Sequence, residues 1–130
     1  MKHVEAVAAI FIRDKQIAAF RRNEGQYKGY YEFAGGKVKP HESHKEALIR
    51  ECEEELQLDI TVDYCFKQIN YDYDHFKLTL SLYVCHAPHY DFKLTVHDDV
   101  KWVDYHNIDD LNWLPADLLI LDDLKLNFLI

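Results

Sequence analysis

Glycine and proline are scarce in this chain, with four glycines and three prolines among 130 residues. Because low-complexity tracts and internal repeats are also absent, disordered, collagen-like and solenoid proteins are excluded. Aliphatic and aromatic residues are abundant instead, and the chain is long enough to bury a hydrophobic core without disulfide or metal staples. We therefore expect one globular domain that covers residues 1–130.

Basic residues are outnumbered, since the chain has 15 lysines and arginines against 23 aspartates and glutamates, a formal net charge of -8. No basic run is long enough to follow a nucleic-acid backbone, so we expect no polymeric DNA or RNA partner. A small anionic ligand remains open, because a bound divalent cation reverses the local field that acidic residues set. The acidic balance therefore favours a metal-binding protein.

Cysteine is also rare, and Cys52, Cys65 and Cys85 stand at wide spacings without a C-x-x-C pair. This pattern predicts neither a disulfide framework nor a zinc cluster, and it favours a reducing compartment. Long apolar runs are missing too, because Glu5 interrupts the apolar N-terminal stretch and Arg13 closes it. We expect a cytoplasmic protein with no targeting segment and no membrane partner.

Residue types and their spacing predict several strands and two helices. Strands are predicted at 4–12, 16–22, 59–73, 76–87 and 100–105, with a short extended piece at 31–33. Helix formers without glycine or proline predict a helix from Glu42 to Gln57. Pro115, followed by apolar residues at helical spacing, predicts a C-terminal helix from about Ala116. This mixture indicates an α/β or α+β sandwich.

The first predicted helix carries four glutamates at five consecutive positions, in the stretch RECEEE. At about 100 degrees per residue, Glu51, Glu54 and Glu55 share one stripe. A solvated acidic surface is the ordinary explanation of such a run, although like charges on one face repel each other. Carboxylates on one stripe also suit Mg²⁺ or Mn²⁺, whose charge would offset the repulsion. Arg50 adjoins Glu54 at i, i+4 and is placed to orient its carboxylate.

Nine positions in and around this helix favour the metal interpretation. They are Gly36, Glu42, Arg50, Glu51, Cys52, Glu54, Glu55, Gln57 and Leu58. Eight of these nine match the Nudix box, which the stretch resembles; Gln57 departs, because the family has a glycine there that eases a left-handed turn. The segments FRRN, YYEFAGGK, DDVKWV and LNWLPADLLIL are similar to segments of MutT-like members. The resemblance therefore covers nearly the whole chain.

Resemblance to MutT-like Nudix hydrolases implies an α/β/α sandwich with a mixed sheet, a catalytic loop-helix and a C-terminal helix. It also implies Mg²⁺-dependent (or Mn²⁺-dependent) hydrolysis of a nucleoside or deoxynucleoside triphosphate to a monophosphate and pyrophosphate. The expected partner is a small nucleotide, with 8-oxo-dGTP, CTP or dCTP as candidates, and the chain is expected to be a monomer or a homodimer. Two alternatives stay open: hydrolysis of ADP-ribose or another nucleoside diphosphate derivative, and a sensor that binds nucleotides without turnover.

The resemblance implies that Glu51, Glu54, Glu55 and the main-chain carbonyl of Gly36 bind the metal. Arg50 is expected to assist these carboxylates. Family members differ on whether the general base lies in the box, where Glu51 and Glu54 are candidates, or on a later loop. In this chain that loop offers Asp98 and Asp99, while Val96 occupies a position where many relatives carry a glutamate. Glu42 is expected to stabilise the start of the helix.

Three further residues resemble substrate-binding positions of MutT-like enzymes. Arg22 matches an arginine that contacts phosphate, with Arg21 as the alternative because strand alternation sends only one of the two inward. Phe33 matches an aromatic residue that either contacts the base or packs in the core. Asp117 matches a residue that reads the base, and its carboxylate would accept from an amino-bearing edge such as that of cytosine or oxidised guanine. A helix-capping role for Asp117 is the alternative.

Overall fold

The computed structural model describes residues 1–130. Its strands are β1 (Lys2–Arg13), β2 (Gln16–Arg22), β3 (Tyr31–Glu32), β4 (Ala34–Lys37), β5 (Thr61–Asp72), β6 (Phe76–His86) and β7 (His97–Val103). Helix α1 (His44–Leu56) follows β4, a single 3-10 turn (Ile108–Asp110) follows β7, and a helical segment at 117–129, the C-terminal segment, closes the chain. The strands form one sheet in the order β3-β2-β1-β6-β5, with β4 paired to β1 and β7 paired to β2.

Strand β1 lies at the centre of the sheet because it can be buried on both faces. All residues from Ala6 to Phe11 are buried, and such an unbroken apolar run is typical of a strand that is covered on both sides. The strand pairs in parallel with β6 and antiparallel with β4 and β2. Asp14 and Lys15, both with positive φ, form the tight turn into β2. The predicted opening hairpin and the mixed sheet are both confirmed.

Each face of the sheet builds its own hydrophobic core, because side chains alternate along β1. Ala9 and Phe11 belong to the core that contains the apolar side of α1, whereas Ala8 and Ile10 belong to the core that contains the C-terminal segment. Helices therefore cover both faces, and the predicted α/β/α sandwich is confirmed. None of these helices combines the length and the apolar composition that crossing a membrane requires.

Helix α1 begins at His44, slightly later than predicted, because a capping box fixes its first turn. Ser43 Oγ accepts a hydrogen bond from the Glu46 N–H at 3.0 Å, and Glu46 Oε1 accepts one from the Ser43 N–H at 2.9 Å. Glu42 consequently lies outside the helix. The cap determines where each later glutamate of α1 points, so it also positions the site described below.

The other differences from prediction concern element ends. Strand β7 begins at His97 instead of residue 100, because its pairing with β2 extends past Arg21 through a register shift. The acidic residues at that position have low β-propensity, so the sequence pattern did not predict this extension. The C-terminal segment begins at Asp117 and consists of a 3-10 turn, a short α-helix and a π turn. A C-terminal helical element is thus confirmed, although it is not one regular helix.

Gln57 provides a prediction about stability. It ends α1 in a left-handed conformation, with φ 51° and ψ 45°, and its N–H caps carbonyls of the last helical turn. A residue with a Cβ is strained there, so Gln57→Gly should raise the free energy of unfolding by about 0.5–1 kcal/mol, measured by chemical denaturation. Gln57→Ala keeps the Cβ and is the control, and equal stability of the two variants would contradict this explanation.

Candidate active site

A cavity of about 710 Å³ lies against β1, β4 and the start of the C-terminal segment. This volume is within the range of small-molecule sites in proteins. Apolar side chains, among them Val4, Leu78 and Leu80, form much of its wall. Glu32 and Glu55 add carboxylates to the same wall. The cavity therefore has the mixed lining of a site for a ligand with both an apolar and a charged part.

Glu55 lies at this cavity, and one of its carboxylate oxygens has no protein partner. Its Oε1 is buried and accepts no hydrogen bond. Burial, together with the negative charges of Glu51 and Glu32, raises the pKa of Glu55 to about 8. Burying an unpaired carboxylate beside two others is unfavourable in the protein alone, whereas a bound cation would stabilise all three.

Gly36 brings strand β4 directly against Glu51. A Cβ at Gly36 would lie 2.5–2.7 Å from the carboxyl atoms of Glu51, so a larger residue there would displace that carboxylate. Gly35 is constrained more strongly, because its Cβ would overlap the main-chain oxygen of Val7. The paired glycines thus allow β4 to lie between β1 and the carboxylate of Glu51.

Arg50 organises the acidic residues around it. It forms a two-bond pair with Glu42, at 2.7 and 2.8 Å, and donates to Glu51 Oε1 at 2.9 Å. It also donates to the main-chain oxygen of Lys37 at 3.0 Å. The paired guanidinium lowers the pKa of Glu42 to about 2. Glu42 therefore has the expected structural position, and Arg50 joins the loop to the helix.

Glu54 is not brought together with the other two carboxylates of its stripe. Its side chain is 55% exposed and touches only Arg50, at 3.5 Å. Accordingly, no three His, Cys, Asp or Glu side chains converge into a group that could hold a metal ion. The metal-binding roles of Glu51, Glu54 and Glu55 therefore stay predictions.

Arg22, rather than Arg21, lines the cavity. Its Nη1 donates to Glu32 Oε1 at 3.2 Å, while its Nε is buried without a partner. Arg21 lies outside the cavity lining and donates to Asp98 Oδ1 at 2.6 Å. Strand alternation therefore selects Arg22, which keeps a free N–H for an anionic ligand.

Asp117 is buried at the cavity wall, with 3% of its surface exposed, and its carboxylate makes no hydrogen bond with the protein. Burial raises the pKa of Asp117 well above its ordinary value, and the charge of Glu32 adds to this effect. The capping alternative is not supported, because Ala116 stands at the cap position and no side-chain capping bond forms.

Phe33 lines the same cavity and also packs on Trp113, with ring centroids 5.1 Å apart. The Phe33 ring therefore belongs both to the hydrophobic core and to the cavity wall.

Three comparisons with known proteins agree with this geometry. The NUDIX domain family model matches residues 2–128. The chain is 34% identical over 129 residues to the CTP pyrophosphohydrolase of Escherichia coli K12, covering 94% of this chain and 91% of that protein. The chain belongs to the Nudix family.

Two further relatives support the MutT-like subgroup. The 8-oxo-dGTP diphosphatase of Proteus vulgaris is 32% identical over 81 residues, which cover 60% of this chain and 72% of that protein. The crystal structure of the MutT protein from Methanosarcina mazei Go1 superposes with a TM-score of 0.81 at 27% identity, covering 98% of this chain and 93% of that one. This Nudix chain is thus a MutT-like hydrolase of phosphoric anhydride bonds.

The acids of the later loop do not reach the cavity of this Nudix protein. Asp99 Oδ2 accepts a hydrogen bond from the Tyr31 hydroxyl at 2.6 Å, outside the cavity lining. Val96 lies at the cavity but offers no carboxylate. The catalytic role of Asp99 stays a prediction.

Sequence reasoning missed Glu32 and His97, which hold Arg22 in place. Glu32 accepts from Arg22 through one oxygen, and its other oxygen lies 2.9 Å from His97 Nε2. The His97 side chain is fully buried, and its Nδ1 has no partner. No spacing in the sequence connects the three residues, because they come from three different strands.

Arg22 and Arg21 give a matched pair of variants. Arg22→Lys should lower kcat/KM for a nucleoside triphosphate by roughly 10- to 100-fold, because lysine loses the planar fork that holds phosphate oxygens. Arg21→Lys should change kcat/KM less than about 2-fold, since Arg21 pairs only with Asp98 at an exposed site. Steady-state kinetics of both variants test the assignment. Equal losses would show that the inward arginine has been misidentified.

Proposed function

We propose that this chain is a divalent-metal-dependent nucleoside triphosphate pyrophosphohydrolase that releases a nucleoside monophosphate and pyrophosphate. CTP or dCTP is the proposed substrate, with 8-oxo-dGTP as the second candidate. One observation carries the proposal. A single cavity is lined both by a carboxylate of the Nudix helix, Glu55, and by the buried carboxylate of Asp117. A nucleotide has the two parts that such a cavity requires, a polyphosphate and a base.

The proposed metal is Mg²⁺ or Mn²⁺, held by Glu51, Glu55 and the main-chain carbonyl of Gly36. The unpartnered Oε1 of Glu55 and the close approach of Gly36 to Glu51 fit such an ion. Glu54 is proposed as a further ligand from the family resemblance alone. When bound, the metal would neutralise phosphate oxygens and make water more acidic.

Side chains of the protein carry out the remaining steps. Arg22 binds a phosphate oxygen with the N–H groups that Glu32 leaves free. Arg50 positions Glu51, which is the proposed acceptor of the proton from the attacking water. Glu54 is the alternative proton acceptor.

Asp117 is proposed to accept a hydrogen bond from the amino group of the base. The apolar wall around it excludes water, so a base that fails to satisfy this carboxylate leaves a buried polar group unpaired. Cytosine is the leading candidate because the E. coli relative is named a CTP pyrophosphohydrolase and matches along 94% of this chain. Oxidised guanine is the second, because the Proteus relative is named an 8-oxo-dGTP diphosphatase.

Retention of the acidic residues argues against a sensor that binds nucleotides without turnover. Glu51 and Glu55 repel one another, and Glu55 Oε1 is buried without a hydrogen bond, an arrangement that a metal ion bound for catalysis would stabilise. No observation at the cavity favours ADP-ribose over a triphosphate.

A nucleotide panel tests the proposal. Pyrophosphate and phosphate release would be measured with CTP, dCTP, 8-oxo-dGTP, dGTP, UTP and ADP-ribose, in Mg²⁺ and again in excess chelator. We expect metal-dependent pyrophosphate release, fastest with a cytidine triphosphate. Preference for ADP-ribose, or tight binding without turnover of any compound, would contradict the proposed function.

A further inference from the structure

Tyr73 holds a fixed position in the cavity wall, just after β5. Its ring stacks on Phe76 with centroids 5.0 Å apart, and meets Tyr71 edge-on at 4.7 Å. Tyr27, from the loop between β2 and β3, makes a third contact at 6.0 Å. Aromatic packing on several sides leaves the ring little freedom, so the hydroxyl is held in one direction.

The hydroxyl of Tyr73 lies next to the proposed base-reading residue. It accepts a hydrogen bond from the Ala116 N–H at 3.2 Å, and Ala116 directly precedes Asp117. No protein acceptor takes the phenolic proton of Tyr73, which therefore stays available to a ligand. Burial raises the pKa of Tyr73 to about 12, so the group keeps its proton at neutral pH.

A donor and an acceptor therefore line the same cavity wall. The acceptor is the carboxylate of Asp117, and the donor is the hydroxyl of Tyr73; neither the carboxylate nor the phenolic proton has a protein partner. Such a pair complements a base edge on which an amino group adjoins a ring acceptor. Cytosine presents this edge, with N4 as donor and N3 as acceptor, whereas N3 of uracil carries a hydrogen and its O4 is an acceptor.

We propose that Tyr73 is a specificity-determining residue that donates its hydroxyl proton to the ring acceptor of the base whose amino group is bound by Asp117. This inference rests on the proposed function. The inference adds a second base-recognising group beside the Asp117 carboxylate, and it assigns to the Tyr73 hydroxyl a hydrogen bond with N3 of cytosine. Removing the hydroxyl should therefore lower kcat/KM only for nucleotides whose base carries that acceptor.

The test combines a variant of the protein with a variant of the substrate. Tyr73→Phe keeps the ring and removes the hydroxyl, while 3-deaza-CTP keeps the amino group and replaces N3 by C–H. Wild type should have a kcat/KM roughly 10-fold higher for CTP than for 3-deaza-CTP, as expected for one buried hydrogen bond. Tyr73→Phe should lose about this factor for CTP and little for 3-deaza-CTP. The ratio between the two substrates should therefore fall to about 1.

Tyr71→Phe is the control, because Tyr71 packs against Tyr73 but does not line the cavity. It should leave the ratio at the wild-type value. Equal losses for both substrates in Tyr73→Phe would mean that the hydroxyl only supports the Ala116 main chain, and would overturn the inference while the proposed function stands. Failure of the wild type to hydrolyse any nucleotide would overturn both.

Discussion

Replacing Glu55 with glutamine is expected to lower kcat/KM for the preferred nucleotide by about 1,000-fold, on the order of 4 kcal/mol of transition-state stabilisation. Glutamine keeps the size of the side chain and removes the charge that a metal ion requires. Thermal stability in chelator should at the same time rise by a few degrees, about 2–4 °C, because the buried carboxylate and its repulsion by Glu51 and Glu32 disappear. Steady-state kinetics and thermal unfolding of one preparation check both effects.

Glu53→Gln is the matched control on the same helix, since Glu53 is exposed and faces away from the cavity. It should alter both quantities little. If Glu55→Gln retained wild-type kcat/KM, the assignment of this buried carboxylate to the metal would fail. A lower unfolding temperature for Glu55→Gln in chelator would contradict the claim that this buried carboxylate destabilises the protein.

Replacing Asp117 with asparagine should lower the ratio of kcat/KM for CTP to kcat/KM for UTP by about 100-fold. In its ionised form the buried carboxylate offers only acceptors, so it binds an amino group and leaves the carbonyl of uracil unsatisfied. Asparagine offers a donor as well and can satisfy that carbonyl. The expected change is a fall in kcat/KM for CTP together with a rise for UTP, measured under identical conditions.

Asp122→Asn provides the control in the same C-terminal segment, because the Asp122 side chain is 95% exposed. This variant should keep the wild-type preference. A uniform loss across all nucleotides in Asp117→Asn would assign Asp117 to the folding of the segment rather than to base recognition. Thermal unfolding of the variant would distinguish that case independently.

Local sequence patterns predicted the elements that this site depends on. Helix formers between Glu42 and Gln57 predicted α1, and apolar alternation predicted the long strands, because both patterns are set by neighbours along the chain. The spacing from Gly36 to Glu55 predicted the loop-helix, and the structure gives the glycine its physical reason in the contact with Glu51. Family membership followed from the same residues.

Contacts between distant strands could not be predicted. Glu32 and His97 come together with Arg22 only because β2, β3 and β7 pair. The periodicity of residue types along the sequence does not predict which strands pair. Asp99 was proposed from its place in the sequence, yet the sheet turns it toward Tyr31. Helical spacing placed Glu54 on the stripe of Glu51 and Glu55, but a stripe of about 100 degrees is wide enough for its outer member to face solvent.

The most direct test of the account is the identity of the products that wild-type protein forms from CTP and Mg²⁺, separated by anion-exchange chromatography. The account predicts CMP and pyrophosphate in equal amounts, and no products when the metal is chelated. Release of CDP and phosphate, or the same products at the same rate in chelator, would contradict it.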